Sequence, residues 1–335
     1  MANLARKFSE KVSFVDKTVD KGGEKPMKFN KTLLFSAFLC VLVGPVSAAV
    51  QDDIQSDSQQ IAKWFSQEVA HITAFNAAAL PQIPADVHNF LGVEIGVEAG
   101  VSSSKVDQDG FHQLSLVSLK TTGFDMPSEM MLPMPLVHAK VGLPFELDLG
   151  VKYGRMDFSD SKNGVESKVK NSVFGVEIRR RLMGEGATGV VLPDVALTLG
   201  YDQANGDVQR TERYVAPVTG GTLDAATTMK SDWRTGAVTA RVIASKQLVI
   251  ITPYIGAGYS RLMGDAETSV DVVGTASPGG AVNVSGKNSA KADDDILQLL
   301  GGLEFTFFPL CKINLGGLYA KDDWAATAGL RFSFR

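Results

Sequence analysis

The chain has 335 residues, 33 of them glycine, with 44% hydrophobic and 21% charged residues and a formal net charge of −4. That apolar content with so little net charge excludes a disordered chain. The mean hydropathy of +0.05 is too low for a bundle of transmembrane helices, and no collagen or heptad repeat is present.

Residues 1–26 read as an upstream extension. Lys28 and Lys31 then precede the apolar run Thr32–Val43, followed by Gly44-Pro45 and the small residues Ser47-Ala48-Ala49. A basic start, an apolar stretch too short to span a bilayer and a small-x-small end describe a secretory signal peptide over 27–48. The remaining 287 residues carry 25 basic and 33 acidic groups, a net charge of −8. An acidic exported chain makes a poor nucleic-acid binder. Cys311 is then left without a second cysteine and reads as a small residue at a turn.

From Asp52 to Ala79 there is no Pro or Gly. Ile54, Ile61, Trp64, Phe65, Ala70, Ile72 and Phe75 recur at helical spacing, which predicts an amphipathic helix ending before Pro81 and Pro84. Residues 49–89 form a periplasmic N-terminal segment on this reading. Its helix packs Trp64 and Phe65 in the periplasmic mouth of the domain formed by residues 90–335, or lies on the membrane.

After Asn89 the period falls to two. Leu91, Val93, Ile95, Val97, Ala99 and Val101 alternate with Gly92, Glu94, Gly96, Glu98 and Gly100. Successive strand side chains point to opposite faces, so one face is apolar and the other holds Gly and Glu. The pattern returns at 137–142, 145–154, 174–179, 194–202, 238–242, 251–260, 297–307, 312–319 and 324–334, with a less clean strand at Phe111–Leu119. Short joins alternate with long polar ones at Ser159–Lys170, Ala204–Lys230 and Gly264–Asp294. Sorted connections of this kind describe an all-β, up-and-down antiparallel transmembrane β-barrel over 90–335, with about ten strands (8–12) and the longer loops outside.

On this reading Glu94, Glu98, Lys140, Glu146, Asp148, Lys152, Glu177, Arg179, Arg241, Glu304, Lys312 and Arg331 face the lumen. A barrel of about ten strands is narrow, and inward charges of both signs would pair and fill it. Aromatic residues at strand ends, Tyr153, Tyr201, Trp233, Tyr259, Phe305, Phe307, Trp324 and Phe332, form the expected interfacial girdle.

These features look like bacterial outer-membrane β-barrel proteins. The strand-turn-strand Leu136–Gly154, centred on Gly142-Leu143-Pro144, is similar to a group of uncharacterised barrel families. The resemblance implies an outer-membrane location, contact with lipid and lipopolysaccharide, and delivery by the barrel-assembly machinery. In that class the last residue is usually aromatic; here Phe332 and Phe334 alternate correctly but Arg335 follows.

Chemistry-bearing motifs are few. No His-Glu-x-x-His, Gly-x-Ser-x-Gly or Cys-x-x-Cys occurs, and Gly280–Lys287 fails the phosphate-loop spacing. His71, His88, His112 and His138 share no metal-ligand spacing and read as structural. An outer-rim pairing of His112 with Asp202 or Asp323 is joined by no motif. Asp293, Asp294 and Asp295, with Asp322 and Asp323, read as solvated loop charge, with a divalent-cation site as the sharper alternative. No enzyme activity, cofactor or resident metal is expected. A plugged structural or surface-interaction barrel is the favoured role, with a narrow porin-like pore for small or apolar solutes as the first alternative and an outer-membrane barrel enzyme as the second.

Overall fold

The computed structural model describes residues 48–116, 128–162, 165–184, 192–218, 221–277, 280–308 and 310–334. The extension 1–26 and the signal segment lie outside these residues, apart from Ala48, which opens helix α1 (Ala48–Ala79). The strands are β1 (Val93–Lys105), β2 (Glu129–Leu143), β3 (Leu147–Lys162), β4 (Val165–Met183), β5 (Asp194–Val218) and β6 (Gly221–Ser245). They continue as β7 (Ile251–Ser277), β8 (Gly280–Lys291), β9 (Asp295–Phe308), β10 (Cys311–Ala320) and β11 (Asp323–Phe334).

Every ladder is antiparallel, and β1 pairs with β11 from Val93↔Phe334 to Ser104↔Asp323, closing a ring. The lower part of β7, Ile251–Arg261, pairs with β9, whereas its upper part, Asp265–Ala276, pairs with β8. β8 is therefore a hairpin arm on β7. Ten strands close the wall and β8 makes the eleventh of the sheet. Closure matters because a sheet edge in hydrocarbon leaves backbone groups unpaired.

We call the end where β1 begins and β11 finishes the terminal end, and the opposite one the distal end. At the terminal end β2 joins β3 through residues 144–146 and β6 joins β7 through residues 246–250. In the three-residue turn between the paired Leu143 and Leu147, Phe145 and Glu146 adopt left-handed φ values of 67° and 57°. This corrects the placement of Glu146. The strand starts at Leu147, so Glu146 stands in the turn, exposed, 3.6 Å from Arg181, and does not line the lumen.

The distal end departs from the loop expectation. The segments 204–230 and 264–294 are mostly strand, not loop: β5, β6 and β7 run 25, 25 and 27 residues, and β8 adds 12. Their polar alternation hid a ladder that continues past the apolar band. Likewise Phe111 belongs to the short helix α2 (Gln108–His112), not to a strand.

Burial is inverted relative to a soluble sandwich. Outward Ile95, Val97, Val137, Leu149, Val151, Val176, Leu199, Val238, Ile255 and Leu299 are exposed, whereas inward Thr198, Thr235, Thr239, Ser260, Thr268 and Thr327 are buried. A closed ring with an apolar outside is the transmembrane barrel arrangement. Tyr153, Tyr201, Tyr259 and Trp324 cap the outward apolar run of their strands, each followed or preceded two residues on by Arg155, Gln203, Arg261 or Asp322. Phe305, Phe307 and Phe332 lie at the terminal end, and Phe305 and Phe307 stack at 6.4 Å. Trp233 does not join this girdle. It is 5% exposed and points inward, donating Nε1–H to Asn171 Oδ1 at 3.2 Å.

Helix α1 occupies the lumen, which corrects its placement at the periplasmic mouth or on the membrane. Its first half packs on β7 and β8: Ser66 Oγ donates to Ala62 O and lies 2.9 Å from Thr268 Oγ1. Trp64 and Phe65 pack toward the distal end, where Trp64 meets Phe111 at 4.8 Å and donates to Asp107 O at 3.1 Å. From Val69 onward the helix is enclosed, and Ala70, Ala74, Ala77, Ala78 and Ala79 are wholly buried. Small side chains keep the helix slim enough for a ring of this size. Gly286 of β8 faces Ser58 where the helix backbone approaches the wall, so a side chain there would collide. Among the described residues, no helix is long and apolar enough to cross a membrane.

Candidate functional site

The lumen is built from α1, the extended segment Leu80–Asn89 that succeeds it, and the inward faces of the ten wall strands. Helix α1 ends before Pro81, leaving carbonyls without intrahelical donors. Two wall cations supply them: Lys152 Nζ donates to Ala77 O at 2.7 Å and also to Leu80 O, and Arg241 Nη2 donates to Ala78 O. Cations at a helix C-terminus also complement its dipole. Lys152 pairs in addition with Asp202 at 2.8 Å.

The extended segment is then held along its length. Gln82 O accepts from Tyr254 Oη at 2.9 Å and from Asn314 Nδ2 at 2.6 Å, while Thr327 donates to Gln82 Oε1 at 3.0 Å. Arg179 Nη1 donates to Pro84 O at 2.6 Å, and the Ala85 N–H donates to Ser245 Oγ at 3.1 Å. His88 gives its backbone N–H to Asp148 Oδ1 at 3.0 Å and sets Nδ1 3.0 Å from Asp148 Oδ2. Gly142 faces the Asn89 carbonyl closely, where any Cβ would collide.

A buried ion network closes the terminal end. Arg331 is fully buried and pairs with Asp86 at 3.1 Å and with Glu94 and Glu304. Lys312 bridges Asp86 at 2.9 Å and Glu304 at 3.2 Å. Lys140 stands 3.6 Å from Glu94 and 3.7 Å from Glu177, and Arg179 lies 3.7 Å from Glu177. His138 lies 3.5 Å from Glu94 and 3.6 Å from Glu98. Charges buried this deeply persist only when matched. Arg331, Lys312, Lys140 and Arg179 each have a carboxylate within 3.7 Å, whereas both Glu98 oxygens lack a hydrogen-bond partner among the described residues.

Of the sequence-assigned lumen charges, all but Glu146 face inward. The network also recruits Asp86, His88 and Asp202. Asp202 obeys the inward alternation and was legible. Asp86 and His88 sit in an aperiodic linker, where no pattern marks a side chain's direction.

Asp86, His88 and Glu94 place one ligand-type atom each within 4.8 Å of one another. Their lone pairs already face Arg331 and Lys312, and the His88 ring faces Asp148, so cationic side chains fill the role a metal would have. The acidic run Asp293–Asp295 is divided in the same way. Asp293 and Asp295 pair with Arg261, Tyr259 also reaches Asp295, and Asp294 pairs with His71. Asp322 lies 4.0 Å from Lys105. His112 packs edge-on against Phe111 at 6.2 Å, while Asp202 and Asp323, weighed as its partners, pair with Lys152 and His71.

The distal latch of the helix is His71. Its Nδ1 lies 2.9 Å from Asp294 Oδ2 and its Nε2 3.1 Å from Asp323 Oδ2. Burial alone would lower its pKa, but the hydrogen bond and charge of Asp323, then those of Asp294, outweigh burial and raise it to about 9. One helical turn earlier, burial raises the Glu68 carboxyl to about 7, against the opposing Asp107 N–H and His71 charge.

A comparison with curated proteins gives no match. Among solved structures, the chain resembles the translocator domain of autotransporter NalP from Neisseria meningitidis at 10% identity, over 75% of this chain and 90% of that one, with a TM-score of 0.31. It resembles Ail, the attachment invasion locus protein of Yersinia pestis, at 12% identity, over 73% and 98%, with a TM-score of 0.25. A Pseudomonas aeruginosa FadL homologue is similar at 8% identity, over 89% and 99%, with a TM-score of 0.27. Likenesses this remote carry no role for the lumen residues. A family model matches residues 105–334, from the end of β1 to the last strand, and the chain belongs to that family, described as a family of unknown function (DUF6588).

Proposed function

We propose that the protein is an exported outer-membrane barrel closed along its axis by its own N-terminal helix, with a structural or surface-presenting role rather than that of a diffusion pore. The observation that carries this reading is the course of residues 69–88 through the ring, from Thr73 on Thr235 to His88 on Asp148. The outward apolar band and its aromatic caps support placement in a bilayer. With the terminal end in the periplasm, the long polar ladders of β5–β8 extend from the outer surface. Phe332 and Phe334 suit delivery by the barrel-assembly machinery, and lipopolysaccharide is the lipid that such a wall meets.

Planar-bilayer recording tests the proposal. The full mature chain should insert without a stable open conductance, and a variant lacking residues 52–89 should conduct, because it removes both the helix and the linker that bears Asp86 of the terminal network. A steady channel in the full chain would overturn it.

A further inference from the structure

Among the described residues, the barrel wall is incomplete at one seam. The β2–β3 ladder runs only from Leu143↔Leu147 to Leu136↔Gly154. Both strands continue beyond it: β2 stays paired with β1 to Lys105↔Glu129, and β3 stays paired with β4 to Lys162↔Val165. Among the described residues, no ladder pair joins 129–135 to 155–162. The seam therefore opens above Gly154, level with Tyr153, at the distal edge of the apolar band.

The sequence of β2 explains the split. Gly142 exchanges backbone hydrogen bonds with Leu91 and Gly92, so even-numbered residues of β2 turn their N–H and C=O toward β1. The β1–β2 register has no shift, so odd-numbered residues turn toward β3. Pro133 and Pro135 are odd. They lack the N–H at the positions where β3 would receive one.

Both sides of the split are apolar. Outside, a groove of about 760 Å³ runs along Val97, Ala99, Pro135, Val137, Tyr153 and Leu330, with Arg155 at its distal end. Inside, Met130, Met131 and Leu132 of the unpaired part of β2 meet Val69 and Ile72 of α1, Val169 and Trp233 around a space of about 10 Å³. Met131 is outward and 46% exposed, yet it borders the same space as the inward Trp233. Elsewhere the inward wall mixes apolar residues such as Leu262, Leu300 and Leu318 with Ser, Thr and charge, and methionine is gathered at this seam, with Met130 and Met134 buried. Methionine side chains repack readily around an alkyl chain.

We propose that this seam is a lateral door: a single alkyl chain of an amphipathic molecule lies in the outer groove, its anionic head at Arg155, and passes between β2 and β3 to reach Trp233. The proposal goes beyond axial closure and rests on the placement of the barrel in a bilayer. The space behind the door is small when empty, so entry displaces Met130 and Met131 rather than filling a preformed void.

The test uses the full mature chain folded in lipid nanodiscs and a brominated fatty acid, which quenches tryptophan on contact. Two single-tryptophan variants are compared. One keeps only Trp233 (Trp64→Phe, Trp324→Phe), and the other keeps only Trp324 at the lipid face. Trp233 should be quenched saturably, and an unbrominated fatty acid should compete. Val169→Phe, which fills the chamber, should weaken the apparent affinity at least tenfold. A Pro133→Cys, Asp157→Cys pair, which lies across the same split and leaves Arg155 in place, should abolish quenching when oxidised and restore it when reduced in the same sample, which separates blockage from misfolding. Quenching of Trp324 without quenching of Trp233 would overturn the door and leave the membrane placement standing. If neither tryptophan is quenched, the membrane placement falls and the door with it.

Discussion

The guanidinium of Arg331 in the last strand lies 3.1 Å from the carboxylate of Asp86, which precedes the first strand by seven residues. The pair ties the segment leaving the plug to the seam that closes the barrel. Arg331→Met leaves Asp86, Glu94 and Glu304 without their shared cation, and a buried pair broken on one side costs about 3–5 kcal/mol. The urea midpoint of the refolded protein should fall accordingly, and Arg331→Lys should recover part of the loss. An unchanged midpoint would mean that this network does not hold the barrel together.

Lys152 does two jobs, pairing with Asp202 and donating to the last carbonyls of α1. Lys152→Met should therefore destabilise by about 3 kcal/mol or more. Asp202→Asn should cost less, because the donor to the helix end remains. Equal losses in the two variants would mean that the helix contact contributes nothing.

Trp233 and Trp324 carry the same side chain on opposite faces of the wall. Trp233→Ala empties space inside the packed lumen and should cost about 3–5 kcal/mol. Trp324→Ala removes a half-buried outward ring near Glu129 and should cost about 1 kcal/mol or less. A reversed ranking in urea titration would restore Trp233 to the girdle.

The contrast between these two tryptophans marks where the sequence was legible. Period-two alternation identified the wall, and from it the inward direction of Glu94, Lys140, Arg179, Glu304 and Arg331. Trp233 sits where a strand passes beyond the apolar band. There both faces carry polar residues, as at Ser231, Asp232 and Arg234, so alternation no longer distinguishes inside from outside. The same loss of contrast made β5 to β8 read as loops. The plug was legible as a helix, but its address was not. Its partners Lys152, Arg241 and Asp148 lie far away in sequence, and the linker bearing Asp86 and His88 has no period. Glu146 was misplaced because the hairpin turn absorbs Phe145 and Glu146 before the strand resumes.

The helix should loosen with rising pH. Glu68 and His71 both bind their protons more tightly in the folded protein, with values of about 7 and about 9 against ordinary values of 4.5 and 6.5. Stability therefore falls as pH rises, first through the Glu68 window and then through that of His71. The contribution of His71 is complete below about 6.5 and lost above about 9. Hydrogen exchange of the α1 amides should show weaker protection at pH 9.5 than at pH 7 on the order of a few-fold after allowing for intrinsic rates. His71→Phe should flatten that part of the profile.

Helix α1 runs inside the ring with Thr73 against Thr235 of the wall strand β6, and on this the closed lumen depends. A Thr73→Cys, Thr235→Cys variant tests the placement most directly, since the two hydroxyl oxygens lie 2.9 Å apart. Mild oxidation of the folded mature chain should form the intramolecular disulfide nearly quantitatively, visible as a mobility shift that reductant reverses. Failure to cross-link in a folded barrel, while Thr73→Cys reacts freely with a bulky water-soluble maleimide, would place the helix outside the lumen and contradict the plugged barrel.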